Sequence, residues 1–145
     1  MKIGVSFSAL HPWAEIQAYQ KSCKNLHGTF GATACFVGTM RDLNEGDRVS
    51  KMTLEHYPGM TERHLENIVS VATERCPVMD VLLIHRVGEL LPDDPIVVVA
   101  VWSAHRGAAF DACRMIMEEL KSTAPFWKKE TLESGTRWVE KNTAG

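Results

Sequence analysis

Residues 96–102 read I-V-V-V-A-V-W, seven apolar side chains in a row, and few folds can accommodate them. Isoleucine and four valines are stiff at the first side-chain torsion and favour extended backbone over helix. A strand with no polar alternate has no wet face, so it belongs inside a sheet covered on both sides. Seven residues also fall far short of the ~20 that cross a bilayer as a helix. The rest of the chain must therefore supply flanking strands and helix enough to cover two faces.

Ile3, Val5 and Phe7 alternate with Gly4, Ser6 and Ser8. That pattern marks a half-buried strand and not the continuous apolar core of a signal peptide, so a cytoplasmic protein is expected. Further strands are expected over 29–39, 51–57, 81–87 and 136–140. Pro12 suits the opening turn of a helix over 12–24. Thr61 is the expected N-cap of a second helix, with Met60 and Leu65 as a hydrophobic staple and Cys76-Pro77 closing it. A third helix is expected over 106–123, stopped by Pro125. Residues 41–48, R-D-L-N-E-G-D-R, are polar with Asn and Gly and read as a mobile loop. Helices and strands mix without strict alternation. This predicts the α+β class: a mixed α/β sandwich, its antiparallel or mixed sheet packed by helices, with a smaller accessory β subdomain.

With 145 residues, 45% of them apolar, one domain spanning 1–145 can bury its own core without disulfides or metals. Sixteen Lys and Arg against eighteen Asp and Glu leave a net charge of −2, which argues against a nucleic-acid binder. No run is long enough for a membrane span. The four cysteines form no C-x-x-C pair, so neither a zinc ribbon nor a thioredoxin-like site is signalled, and reduced thiols are expected. His56 and His85 fall on expected strands and read as structural, so no metal site is expected. The glycines make no G-x-G, and G-K-[ST] and G-x-S-x-G are both missing. Nucleotide-loop and serine-triad readings therefore have no support.

What chemistry remains lies around the third helix. Ala109, Cys113, Ile116 and Leu120 form its core stripe, and Asp111, Arg114, Glu118 and Lys121 fall opposite. Lys121 has two readings. Spaced three from Glu118, it fits a solvated ion pair worth tenths of a kcal/mol. It also precedes Pro125-Phe126-Trp127-Lys128-Lys129, where an apolar wall beside lysines would strip hydration and lower an amine's pKa. Ser103-Ala104-His105-Arg106 joins a buried strand to a helix N-terminus, a place that favours anions. Thr39-Met40-Arg41 closes another strand. Convergence of Arg41, His105, Arg106, Lys121 and Lys128 would make a cationic pocket for a phosphorylated or carboxylated small molecule.

Six segments carry a more specific message: F-V-G-T-M-R at 36–41, L-E-H-Y-P-G-M at 54–60, I-H-R-V-G-E-L at 84–90, S-A-H-R at 103–106, L-K-S-T-A-P-F-W-K-K-E at 120–130 and R-W-V-E at 137–140. Together they resemble the large, catalytic subunit of the molybdopterin synthase family. The resemblance implies a homodimer in which each chain binds a small ubiquitin-like sulfur-carrier subunit, giving a heterotetramer. It implies sulfur transfer from the carrier's C-terminal thiocarboxylate to cyclic pyranopterin monophosphate, forming the dithiolene of molybdopterin, with no cofactor of the protein's own. Lys121 would then be the principal catalytic residue and Lys128 its partner. Arg41, His105 and Arg106 would hold the phosphate and pterin, with Thr39, Met40, Lys129 and Glu130 as flanking substrate contacts. Two other classes compete: a non-catalytic dimeric scaffold that docks a ubiquitin-like tail, and an unrelated phosphate-anion-binding enzyme on the same fold.

Overall fold

The computed structural model describes residues 1–123 and 126–139. The apolar run lies in strand β7 (Pro95–Ser103), inside a four-stranded sheet of order β1 (Lys2–Ser6), β5 (Asp80–Arg86), β7, β2 (Ala32–Thr39). β1 runs parallel to β5, and the other two pairings are antiparallel. Both faces of β7 are dry, for the reason its sequence implies. Val97, Val99 and Val101 pack under helices α2 (Met60–Arg75) and α3 (Arg106–Thr123). Val98, Ala100 and Trp102 face the other way, against Leu26 and helix α1 (Pro12–Ser22). Trp102 is fully buried, and its indole N–H donates to Gln20 Oε1 at 3.0 Å, which satisfies its one polar atom.

A second sheet forms the smaller β layer: β3 (Leu43–Asn44), β4 (Asp47–His56), β8 (Phe126–Leu132) and β9 (Gly135–Trp138), with β6 (Gly88–Leu90) also pairing with β4. Its apolar side is a separate small core of Met40, Val49, Met52, Leu54 and Leu90. The α+β arrangement with an accessory β layer is thus the one expected. Three local expectations are corrected. Segment 41–48 is a tight hairpin and not a mobile loop. Glu45 (φ 53°) and Gly46 (φ 82°) both occupy the left-handed region, the two-residue turn that matches strand twist. Helix α2 begins two residues earlier than its expected cap allows. Gly59 is the N-cap, its N–H bonded by the Glu62 carboxylate, while Thr61 Oγ1 accepts the Tyr57 N–H at 3.0 Å from inside the first turn. Met60 is 60% exposed, so the staple does not form. Strand β8 had no apolar alternation to announce it. Pro125 and Glu140, expected to stop α3 and to end the last strand, lie outside the described residues. Among the described residues no helix is long and apolar enough to cross a membrane.

Candidate functional site

Where the two sheets meet, a cleft of about 560 Å³ opens between β2, the last turn of α3 and the inward face of β8. Its apolar side is Phe36, Met52, Ile96 and Met117, and its polar side is Arg41, Asn44, Lys121, Lys128 and Glu130. Each polar group arrives by a local rule. The core stripe of α3 is buried through Leu120, which leaves Lys121 half-buried at the helix's rim. On β8, side chains alternate. Phe126, Lys128 and Glu130 point inward, with Leu54 and Met52 of β4 opposite the last two. Trp127 and Lys129 consequently point outward.

Lys121 and Lys128 line the cleft together, close enough for the charge of Lys121 to act on the Lys128 amine. Burial lowers the pKa of both. Lys128 is pushed down to about 8 by burial first and by the positive charge of Lys121 second, with Glu130 opposing. The charge of Lys121 favours the neutral form of Lys128. The arrangement sets beside Lys121 a second amine, Lys128, that can take up a proton near neutral pH.

Behind the pair sits His85 on β5, 6% exposed, its ring stacked on Phe126 at 3.9 Å and 16°. Its Nδ1 lies 2.8 Å from the Arg86 carbonyl, which can only accept, so Nδ1 carries the hydrogen. Burial, and then the charges of Lys128 and Lys121, push its pKa down to about 3, so it adds no third cation. Glu130 is buried. Asn44 Nδ2 donates to both its oxygens, at 3.0 and 3.2 Å, and Arg137 Nε donates at 2.9 Å.

Of the residues singled out from sequence, Thr39, Met40, Arg41, Lys121, Lys128 and Glu130 line this one cleft. Met40 is 4% exposed and belongs to the small core, so it is floor more than contact. It is held by reciprocal backbone bonds with the 91–95 loop, its N–H to the Asp94 carbonyl and the Asp93 N–H to its own, both at 2.9 Å. Lys129 is on the other side of the sheet, 5.8 Å over the Trp138 ring. The expected aromatic wall is also displaced. Trp127 packs edge-on against Tyr57 at 4.4 Å outside the sheet, Phe126 faces His85, and the cleft's aromatic is Phe36. His105 and Arg106 are exposed at the start of α3, fifteen positions from Lys121. At 1.5 Å per residue that is about 22 Å away. Within one protomer they do not reach the cleft. Sequence reasoning missed Phe36, Asn44 and Arg137, whose signals, an exposed aromatic on an edge strand and polar residues flanking a turn, are too common to single out.

His56 Nε2 lies 3.5 Å from Glu62, and among the described residues no group of three or more His, Cys, Asp or Glu could hold a metal ion. The four cysteines are free thiols.

Known proteins resemble this chain in sequence and fold. The model of the MoaE protein family matches residues 11–123. The molybdopterin synthase catalytic subunit of Ralstonia nicotianae is 61% identical over 110 residues, which are 76% of this chain and 62% of that protein. The chain thus spans less than two thirds of that relative's length. The molybdopterin synthase catalytic subunit of Pseudomonas aeruginosa is 47% identical over 140 residues, 97% of this chain and 91% of the relative. Among solved structures, the molybdopterin biosynthesis MoaE protein from Burkholderia ambifaria matches with a TM-score of 0.81 and 46% identity, over 99% of this chain and 92% of that one.

Proposed function

This chain belongs to the MoaE protein family, and from that premise we propose that it is the catalytic subunit of a molybdopterin synthase, a cytoplasmic sulfurtransferase. Residues 1–145 act as one domain and form a homodimer. Each protomer accepts the C-terminal tail of a small ubiquitin-like sulfur carrier, giving a heterotetramer. Sulfur passes from the carrier's thiocarboxylate to cyclic pyranopterin monophosphate, and two transfers build the dithiolene of molybdopterin.

One observation carries the reading: two adjoining lysine amines, desolvated at the end of an apolar cleft, with Lys128 lowered to about 8. Lys121 binds the thiocarboxylate and the oxyanion that develops as sulfur leaves. Lys128 orients the precursor and, in its neutral form, accepts a proton. Arg41 at the rim presents a planar two-pronged donor to phosphate. Phe36 and Met117 give the pterin an apolar surface. Glu130 already spends its oxygens on Asn44 and Arg137, so its part is to hold the wall. His105 and Arg106 serve the cleft of the second protomer, since their own is about 22 Å away.

The test mixes this protein with a thiocarboxylated carrier and the cyclic precursor and measures dithiolene formation. Product with the wild type and none with Lys121→Ala supports the reading, and no product with the wild type favours a non-catalytic scaffold. Mixed dimers of Lys121→Ala and Arg106→Ala protomers address the shared site. They regain about half of wild-type turnover if Arg106 acts across the dimer, because one cleft is then intact. No recovery places Arg106 in its own protomer's chemistry.

A further inference from the structure

Arg137 is the polar hub of the second sheet, and the mechanism above leaves it unused. It faces Glu130 directly across the β8–β9 ladder. Nε donates to Glu130 Oε1 at 2.9 Å, Nη1 to Asp47 Oδ2 at 2.8 Å, and Nη2 to the Asn44 carbonyl at 2.9 Å. Glu45 adds a looser ion pair at 3.6 Å. One planar guanidinium therefore ties β8 to both ends of the hairpin turn whose two central residues have positive φ. The tied pieces border the cleft. Asn44 and Glu130 line it, and Arg41 lines it three residues before that turn.

We propose that Arg137 is a positioning residue for sulfur transfer: it anchors the Glu130 carboxylate away from Lys128 and holds the Arg41 segment at the cleft rim. The inference rests on the reading of Lys128 as a working amine. Lys128 and Glu130 share the inward face of β8, two residues and about 7 Å apart along the strand. The charged or titratable groups that face Lys128 are Lys121 from α3, Glu130 from its own strand and His85 from β5, while β4 offers Leu54 opposite. His85 is uncharged, and among the described residues Glu130 is the anion whose charge acts on Lys128, Glu118 of the same cleft lying on α3. The oxygens of Glu130 are presently divided between Arg137 and Asn44. Without the guanidinium, a buried carboxylate loses its charged donor and must find another. Lys128 is the nearest amine on the same face. Recruiting it would raise its proton affinity and draw it from Lys121, replacing the amine pair with an ordinary ion pair.

The experiment follows acylation of Lys128 against pH by peptide-resolved mass spectrometry, alongside kcat and KM for the precursor with a thiocarboxylated carrier. In Arg137→Ala the titration midpoint of Lys128 should rise by about one pH unit. kcat at neutral pH should fall about tenfold, with KM changed less than about threefold. Arg137→Lys, a point charge that cannot span three partners, should recover only part of kcat. Adding Glu130→Gln to Arg137→Ala should return the midpoint to the wild-type value or below, because a neutral amide attracts no ammonium. A merely structural role would lower thermal stability and leave the midpoint in place. An unmoved midpoint in folded Arg137→Ala overturns the proposal. Should that variant not fold, an unmoved midpoint in both Arg137→Lys and Asn44→Ala does so. If Lys128→Ala transfers sulfur at the wild-type rate, the reading of Lys128 fails instead, and the midpoint still reports on Arg137.

Discussion

Strands β7 and β8 sit in one small protein and are built on opposite terms. β7 is apolar on both faces, and every residue from Val97 to Ser103 is buried. Its neighbours, helices and core all serve that burial. β8 turns Phe126, Lys128 and Glu130 inward and leaves Trp127 40% exposed. It sends a lysine and a glutamate to positions where a stable sheet would prefer valine. The contrast separates a strand built for burial from one that lines the candidate site. The centre of β7 can be dry because it holds the fold, and its sheet reaches the cleft only through β2 and the start of β7. The second sheet accepts inward charge, with the Glu130 carboxylate held by Asn44 and Arg137 and the lysine pKa values lowered by burial.

That division can be broken by mutation. Trp102→Ala, at the dry centre, should cost about 3–5 kcal/mol by chemical denaturation, which marginal stability barely tolerates. Carrier-dependent activity of whatever remains folded should be near normal. Lys121→Ala should do the reverse: a loss of about 10²–10⁴-fold in turnover, with the denaturation midpoint and dimer mass essentially unchanged. A large stability loss in that variant would erase the distinction between the two layers. The pH dependence sharpens it further. If neutral Lys128 accepts the proton, kcat falls about tenfold per pH unit below its pKa of about 8 and levels off above it. Lys128→Ala should remove that limb, whereas a limb that persists assigns the titration elsewhere. The smallest effect belongs to the hairpin. Gly46→Ala, at φ 82°, forces a side chain into left-handed backbone and should cost about 1–2 kcal/mol. Its signature would be a raised KM for the precursor as the Arg41 rim loosens, with β7 untouched by hydrogen exchange.

Legibility followed the same line. β7, the closing of α2 at Arg75 and the span of α3 over 106–123 were readable, because apolar periodicity and proline punctuation are local signals. The hairpin at 44–47 is illegible within segment 41–48, since Asn-Glu-Gly-Asp looks like any solvated loop until Arg137, some ninety residues later, supplies its bonds. β8 is unreadable for a related reason: two of its inward residues, Lys128 and Glu130, are charged, and only the cleft explains why.

Taken alone, the order of residues determined that an apolar strand must be sandwiched and that one helix carries a lysine outside its core stripe. It also determined family membership, through motifs short enough to read in one dimension. Which cations meet was settled only by the tertiary fold. Lys121 and Lys128 meet although an unremarkable seven positions part them, and His105 and Arg106 do not, although they belong to the same helix and its junction. The reason is geometric. Helix and strand periods fix where a side chain points relative to its neighbours, but the packing of one element on another fixes what it points at, and electrostatics acts over that second distance.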